Sequence, residues 1–449
     1  MNATPVPVRV RVRMYQVGFG DCILVSVEYD QSDADGRLER HILFDCGTTR
    51  APSSGNPTAT MTAVADLVAQ HTQGRLDVLV VTHRHKDHLY GFGVPAAART
   101  LAALSPRLVL RPWTEDPVLA DDASGPAPRS AATNKARAFV RQLTAAQDAA
   151  DLLARRPAPQ TGALHDLRAA AAAQQPNAEA LATLDAMSGG RRGRYLHAGS
   201  RVDLGRVVPG ARLSVLGPPT VAQYPRVAGQ VSRDPEYWML RLQRSLGYAA
   251  ASREPAPAPG SNPEPALPRC VSPADVAPGP VRWLVQRLSG QRTHSVTRLV
   301  RALDDALNNT SLVLLIEIGG LTLLFPGDAQ IENWRYTLDR LGADSALRDK
   351  LANLDLYKVG HHGSRNATPR TLHGLWTTQR RAQAPRMAAL LSTCAGVHGD
   401  SVATAVPRTS LLEALKEVAD LYSTHLIPAD QPFIEVVSEV TGGPFRLVE

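Results

Sequence analysis

The segment Thr82–His88, which reads THRHKDH, constrains the fold of this chain more than any other. It directly follows an apolar run, residues 76–81, of the kind that forms a buried strand. Three imidazoles and one carboxylate are therefore predicted to emerge where a strand ends and a loop begins. Ligands of this type suit a divalent metal, above all zinc. The spacing lets one loop serve two ions, with His83 and His85 on the first and Asp87 and His88 on the second. The alternative is a polar loop that is merely rich in histidine.

A second apolar strand ends in a Gly-Asp turn that presents Asp328. A carboxylate can contact two cations at once, whereas an imidazole nitrogen binds only one, so Asp328 is the candidate bridging ligand. Taken alone, this turn would be interpreted as an N-cap for the helix predicted over residues 331–341. Because the histidine segment is also present in the chain, we interpret Asp328 as a metal ligand instead.

A third polar loop follows a predicted strand and reads KVGHHGS over Lys358–Ser364. One of His361 and His362 is expected to complete the second metal site, with His362 as the assigned ligand. The other could contact a substrate or supply a proton. Gly363 and Ser364 allow a close backbone approach and offer a hydroxyl donor.

Composition sets the broad class. The 449 residues can bury one large core or two ordinary ones. Lys plus Arg (49) exceeds Asp plus Glu (42), and the net charge of +7 permits an anionic substrate without requiring one. The four cysteines form no CxxC pair, so neither a disulfide framework nor a zinc knuckle is indicated, and reduced thiols are expected. No apolar segment is long enough to span a bilayer, and the N-terminus alternates Val and Arg like a strand. We therefore expect a cytoplasmic protein without a membrane partner.

Strand patterns occur in two sets, each accompanied by helical patterns, which predicts an α/β fold with two sheets covered outside by helices. A single domain is expected over residues 8–449. Two insertions are predicted within it: an Ala-rich helical segment over residues 118–198, and a second segment over residues 220–307 that contains a Pro-rich linker at 252–268.

The order HxHxDH, strand ending in Gly-Asp, then HHGS resembles the metallo-beta-lactamase-fold hydrolases. Within them, the chain is most similar to the soluble catalytic domain of the ComEC-type competence (DNA-uptake) proteins. Three further blocks carry the resemblance: Val17–Cys22, His41–Gly47 and Asn309–Leu314. The matched blocks cover about half of the chain, at residues 8–115, 200–219 and 309–430.

The resemblance implies the metallo-beta-lactamase αββα sandwich, in which two mixed sheets are flanked by helices. It implies two zinc ions, with manganese as the alternative, and an Asp45 that orients the metal loop rather than binding metal. The chain departs from the pattern twice. Gly217 stands where a third histidine of the first site is expected, with His197 as a weak substitute, and His398 is the candidate for a missing C-terminal histidine.

The expected activity is that of a binuclear metal-dependent hydrolase, a phosphodiesterase or nuclease that cleaves DNA with a metal-bound hydroxide. Asp87 would be essential, and His361 with Lys358 or Ser364 would stabilise charge on the phosphoryl oxygens. Arg-rich segments at residues 191–195 and 282–301 could contact a nucleic-acid backbone, or they could be solvated helix faces and loop charges. Two alternatives stay open: hydrolysis of a small phosphoester or lactone, and a degenerate metal fold that binds a partner without turnover. The oligomeric state is undetermined.

Overall fold

The computed structural model describes residues 4–33, 35–116, 178–190, 192–220, 222–224, 308–380, 386–394, 406–428 and 430–448. These residues form an α/β structure with one eight-stranded and one six-stranded mixed sheet. The two predicted sets of strands are confirmed.

The first sheet contains eight strands within the described residues: β1 (Pro7–Tyr15), β2 (Ile23–Tyr29), β3 (Glu39–Phe44), β4 (Val78–Val80), β5 (Leu108–Pro112), β6 (Gly193–Leu196), β13 (Phe433–Glu439) and β14 (Arg446–Leu447). Their spatial order is β14-β13-β1-β2-β3-β4-β5-β6. The pairs from β3 to β6 are parallel, and the remaining pairs are antiparallel. The strand that precedes the histidine segment, β4, therefore lies inside the parallel half, where strand ends converge on one edge.

The second sheet contains six strands in the described part of the chain: β7 (Ala211–Gly217), β8 (Val313–Ile318), β9 (Leu321–Phe325), β10 (Leu356–Lys358), β11 (Met387–Leu391) and β12 (Ala419–Ser423). Their order is β12-β11-β10-β9-β8-β7. The pairs β7-β8 and β8-β9 are antiparallel, and those from β9 to β12 are parallel. The turns after β9 and β10, which carry the second and third predicted motifs, are thus neighbours at one edge.

Helices cover the outer face of each sheet. They are α1 (Pro57–His71), α2 (Lys86–Gly93), α3 (Pro95–Ala103), α4 (Ala178–Met187), α5 (Ile331–Leu338), α6 (Ser345–Ala352), α7 (Arg370–Arg380) and α8 (Thr409–Val418). The first four share an apolar cluster with the first sheet, and the last four share one with the second. The start of α1 shows why such helices begin where they do: the Asn56 side chain accepts from Thr58 N and Ala59 N, and Pro57 occupies the first turn.

Successive side chains of a strand point to opposite faces of its sheet, so each sheet packs against the other sheet on one face and against helices on the other. In β8, Leu314 and Ile316 enter a core between the two sheets, while Val313 and Leu315 face the helices. In β1, Val10 and Val12 lie in the same inter-sheet core, and the arginines of the strand pair with glutamates of neighbouring strands. The rings of Phe44 and Phe325 stack between the sheets at 4.1 Å. The architecture is therefore a helix–sheet–sheet–helix sandwich.

The two predicted insertions are only partly described. Residues 117–177 and 225–307 lie outside the described residues. Helix α4 supports the helical prediction for the end of the first segment, but Gly193–Leu196 differs from it: these residues form β6 and pair with β5 in the first sheet. That sheet position depends on long-range pairing, which the alanine-rich local pattern does not reveal. None of the described helices is both long and apolar enough to cross a membrane.

Candidate metal centre

The histidine segment is held at the tip of β4 by backbone contacts from two glycine-bearing turns. Helix α2 begins at Lys86, so Asp87 and His88 project from a first helical turn and not from a loop as predicted. Asp21 N donates to Asp87 O at 2.9 Å, and Cys46 N donates to His88 O at 2.9 Å. A Cβ at Gly47 would lie 2.5 Å from the backbone of this turn, so only glycine allows the approach.

Four side chains converge beside this turn: Asp87, His88, Asp328 and His362, hereafter the four-residue cluster. Each offers one ligand atom, and these atoms all lie within 4.8 Å of one another. His362 Nε2 lies 2.9 Å from Asp87 Oδ2 and 3.5 Å from Asp328 Oδ2, and His88 Nε2 lies 3.2 Å from Asp328 Oδ2. All four are buried. Two carboxylates and two imidazoles from three separate elements form a donor set suited to zinc or manganese.

Both imidazoles of the cluster are fixed through their second ring nitrogen. His88 Nδ1 lies 2.8 Å from Asp45 Oδ2, and His362 Nδ1 lies 2.9 Å from the Ser392 carbonyl oxygen. With Nδ1 engaged in this way, Nε2 faces the cluster, which is the usual arrangement behind a metal-binding histidine. Asp45 also accepts from Thr82 N and Thr82 Oγ1, each at 2.7 Å. This geometry agrees with the orienting role that the resemblance implies for Asp45.

Asp328 reaches the cluster from the turn after β9, where Gly327 has a φ of +54° and Asp328 N donates to Ser311 Oγ at 3.3 Å. Lys358 lies behind it: the ammonium forms an ion pair with Asp21 and lies 3.9 Å from Asp328 Oδ1. Asp21 was not predicted as a site residue, although it stands in one of the blocks that carry the resemblance. Lys358 is only 2% exposed and contacts carboxylates, so it balances their charge from behind.

The other half of the segment is arranged differently. His83 Nε2 lies 3.0 Å from His85 Nδ1, and both side chains are buried. Neither belongs to the groups of three or more metal-type donors found among the described residues. A Cβ at Gly217 would lie 2.1 Å from Asn333 Oδ1, so Asn333 fills the space beside that glycine. His197 Nδ1 lies 2.9 Å from the carbonyl oxygen of Ala198, and His398 lies outside the described residues.

A buried ion pair anchors the segment between its first two histidines. Arg84 donates to both carboxylate oxygens of Glu115, Nε at 2.7 Å and Nη2 at 2.5 Å. Arg111 approaches the same carboxylate at 3.6 Å. A bidentate guanidinium–carboxylate pair fixes orientation as well as distance, so Arg84 holds the backbone of the loop in place. The sequence gives no local signal for this pairing, because its partners lie 31 residues apart.

The charges of the four-residue cluster are strongly coupled. Burial alone lowers the pKa of His88 and of His362, but the neighbouring carboxylates, Asp328 above all, outweigh it, so both pKa values are raised. Burial alone raises the pKa of Asp87 and of Asp328, but the two imidazoles outweigh it and lower both. Without a metal, the charged forms of the imidazoles and of the carboxylates therefore stabilise each other. A divalent cation can replace those protons, which is the behaviour expected of a metal site.

A cavity of about 220 Å³ opens onto the cluster. His361 lies in its wall: its backbone N donates to Asp328 Oδ1 at 3.1 Å, and its Nδ1 lies 2.9 Å from Ser364 Oγ. Positive φ values of 42° and 50° at His361 and His362 send the two adjacent side chains to different places. His362 thus joins the cluster, as predicted, and His361 faces the cavity. The lining comprises Phe19, Thr49, His85, Asp87, Asn308, Asp328, His361, His362, Ser364 and Val406.

The predicted nucleic-acid segments are largely outside the described part of the chain, including all arginines over residues 282–301. Arg192 and Arg194 are exposed on and beside β6. No protein-family model matches the chain, and no curated protein matches it significantly.

Proposed function

We propose that the chain is a metal-dependent hydrolase of the metallo-beta-lactamase fold that cleaves phosphodiester bonds, with DNA as the leading substrate. The observation that carries the proposal is the four-residue cluster at the floor of a cavity. Its side chains come from the first turn of α2, which follows β4, from the turn after β9 and from the turn after β10, so both sheets contribute to one site. The αββα layering and the order of these motifs support the assignment of the fold.

Each residue of the site has a defined task under this proposal. Asp87, His88, Asp328 and His362 would hold the metal, and Asp45 and the Ser392 carbonyl oxygen orient the imidazoles. Bound divalent ions supply positive charge and activate water for attack on phosphorus. His361, held by Ser364 Oγ, faces the cavity and is placed to stabilise negative charge on a phosphoryl oxygen. The buried ammonium of Lys358 partly neutralises the negative charge of Asp21 and Asp328.

The size of the cavity bears on the substrate. Its volume is about 220 Å³, below the range of about 300–1,000 Å³ that is usual for small-molecule pockets. A space of this size favours a substrate that presents one phosphate or another small group to the cluster. A DNA strand would have to present one phosphate at a time, as a single strand or an end. The same observation supports the second candidate function, hydrolysis of a small phosphoester or lactone, because the fold does not determine the substrate.

The test compares metal-loaded protein on single-stranded DNA, plasmid DNA, a cyclic nucleotide and a lactone, before and after chelation. Cleavage of DNA that disappears on chelation and in Asp87→Asn supports the nuclease. Asp66→Asn, an exposed carboxylate on α1, is the matched control and should retain activity. Turnover of only the lactone or the cyclic nucleotide would replace DNA with the second candidate. Bound metal without turnover of any substrate would favour a binding protein.

A further inference from the structure

The contacts that hold His361 extend beyond Ser364 to a second buried side chain. Ser364 Oγ lies 2.9 Å from His361 Nδ1 and donates to Asn366 Oδ1 at 2.8 Å. Ser364 N also donates to His361 O at 2.9 Å, so the three residues belong to one short turn. Ser364 is 7% exposed and Asn366 is 8% exposed, so both are largely shielded from water. These three side chains form a hydrogen-bonded row, hereafter the His–Ser–Asn row.

The protons available to the His–Ser–Asn row determine the tautomer of His361. An amide oxygen only accepts, so the single hydroxyl proton of Ser364 is used in the bond to Asn366. The contact between Ser364 Oγ and His361 Nδ1 therefore needs a proton from the ring. The neutral imidazole then carries its hydrogen on Nδ1 and a lone pair on Nε2. His361 is only partly buried and lines the cavity, and Nδ1 is engaged by Ser364, so Nε2 is the nitrogen that a molecule in the cavity can meet.

We propose that Asn366 is a positioning residue that acts through Ser364 to keep Nε2 of neutral His361 unprotonated, so that His361 accepts the proton of the attacking water. This inference rests on the proposed function. A lone pair on Nε2 needs a donor opposite it. A phosphodiester oxygen carries no proton at neutral pH, whereas water does. The water that attacks phosphorus is therefore the partner that suits this tautomer.

Proton transfer to Nε2 links the tautomer to the reaction. As the water oxygen bonds to phosphorus, one of its O–H bonds breaks and that proton moves to Nε2. The bond from phosphorus to the leaving oxygen breaks, and the leaving oxygen departs with the electron pair. His361, now an imidazolium, stabilises negative charge on the phosphoryl oxygens and afterwards gives its proton to solvent. The opposite tautomer, with its hydrogen on Nε2, cannot accept a proton at that nitrogen.

Nitrogen-15 NMR of histidine-labelled, chelated full-length protein reads the tautomer directly, at a pH where the ring is neutral and with His361→Gln for assignment. Wild-type protein should carry the ring hydrogen on Nδ1. Asn366→Leu, of similar volume but without an acceptor, frees the Ser364 proton for Nδ1 and should move the ring hydrogen to Nε2. Asn366→Asp, whose carboxylate still accepts from Ser364, should keep it on Nδ1.

Turnover of bis(p-nitrophenyl) phosphate by metal-loaded full-length protein tests the consequence. Asn366→Leu should lower kcat by about 100-fold, at the lower end of what general acid–base catalysis contributes, and leave KM nearly unchanged. Asn366→Asp should retain most of the activity. Asn353→Leu is the matched control, because the Asn353 amide donates only to Asp349 O at the end of α6, and it should match wild type in both measurements.

The two readouts separate this inference from the proposed function. A wild-type ring with its hydrogen on Nε2, or a hydrogen that stays on Nδ1 in Asn366→Leu, would overturn the inference whatever the turnover. A hydrogen that moves while kcat stays unchanged would overturn it too and leave the proposed hydrolase intact. Wild-type protein that shows the expected tautomer but cleaves no phosphodiester would overturn the proposed function, and the catalytic role of His361 with it.

Discussion

The four-residue cluster and the His83–His85 pair draw on the same segment of seven residues, yet they are built differently. In the cluster, two imidazoles face two carboxylates, and each imidazole is fixed from outside by Asp45 or Ser392. In the pair, two imidazoles hydrogen-bond to each other at 3.0 Å. Burial and the charges of His88 and His85 lower the pKa of His83, opposite to the shifts in the cluster.

The comparison shows that regular spacing of histidine and aspartate in a sequence does not place them in equal surroundings. What separates them is the set of distant partners that fold against the segment. Asp328 and His362 come from the second sheet and complete the cluster. Asn333 occupies the space beside Gly217, so no side chain from that position can join the His83–His85 pair. We therefore expect the cluster to be the tighter metal site and the His83–His85 pair the weaker one.

The largest effect should follow from removing the central carboxylate. Asp328→Asn deletes a charge that contacts both imidazoles of the cluster. Loss of an outer partner of a metal ligand costs about 10–100-fold in metal affinity or activity, so loss of a ligand should exceed that range. Metal content after dialysis and phosphodiester turnover measure it. An Asp328→Asn protein that keeps its metal would show that the cluster is not the principal site.

A smaller effect is expected from Asp45→Asn, which leaves all four cluster residues in place but weakens the contact to His88 Nδ1. Metal affinity should fall by about 10–100-fold. Asp77→Asn is the matched control, since Asp77 is equally buried but contacts Arg37 and Arg40 instead. The control should lower Tm without changing metal affinity. If both variants lose metal equally, Asp45 acts on stability alone.

The opposite pKa shifts give a pH test on chelated protein. The raised pKa values of His88 and His362 mean that these groups stabilise the fold below about pH 6.5, a contribution lost as pH rises through their higher folded values. The lowered pKa of His83 has the reverse sign: its stability contribution is present above about pH 6.5 and is lost as pH falls. Nitrogen-15 NMR of labelled histidines, assigned with single His→Gln variants, should show that His88 and His362 lose their protons at a higher pH than a free histidine and that His83 loses its proton at a lower pH. Identical titration of all three would remove the distinction between the two halves.

The smallest effect is expected at Gly217, where the resemblance leads one to expect a third histidine. Gly217→Ala should cost about 1–3 kcal/mol of stability, because the new methyl group meets Asn333. Metal content should not change. Gly217→His should likewise destabilise the protein without adding an ion. A second tightly bound equivalent in Gly217→His would mean that the His83–His85 pair lacks only a third imidazole.

Much of this site is predictable because its signals are local. An apolar strand that ends in a polar turn can be recognised from a few residues, which is how Asp328 and the histidine segment are found. The choice between His361 and His362 cannot be predicted from residue types alone. It depends on the positive φ values that both residues adopt in the folded chain. The Asp21–Lys358 and Arg84–Glu115 pairs join distant parts of the chain, so no spacing rule reveals them.

Strands with a strong local pattern are likewise easier to predict than strands that depend on distant pairing. The Val-Arg alternation of β1 predicts a strand with one buried face, and the structure confirms it. Strand β6 has only four residues, and Arg194 within it is exposed. So short and polar a segment has no alternating apolar pattern that would distinguish it from the residues around it. Its pairing with β5 is what makes it part of the sheet.

The most direct test of the account is metal stoichiometry by mass spectrometry for wild-type protein, His362→Gln and His83→Gln after equal dialysis against a weak chelator. We expect His362→Gln to lose the tightly bound ion and His83→Gln to retain one equivalent of zinc or manganese. Retention by His362→Gln together with loss by His83→Gln would contradict it and place the principal site at the histidine pair.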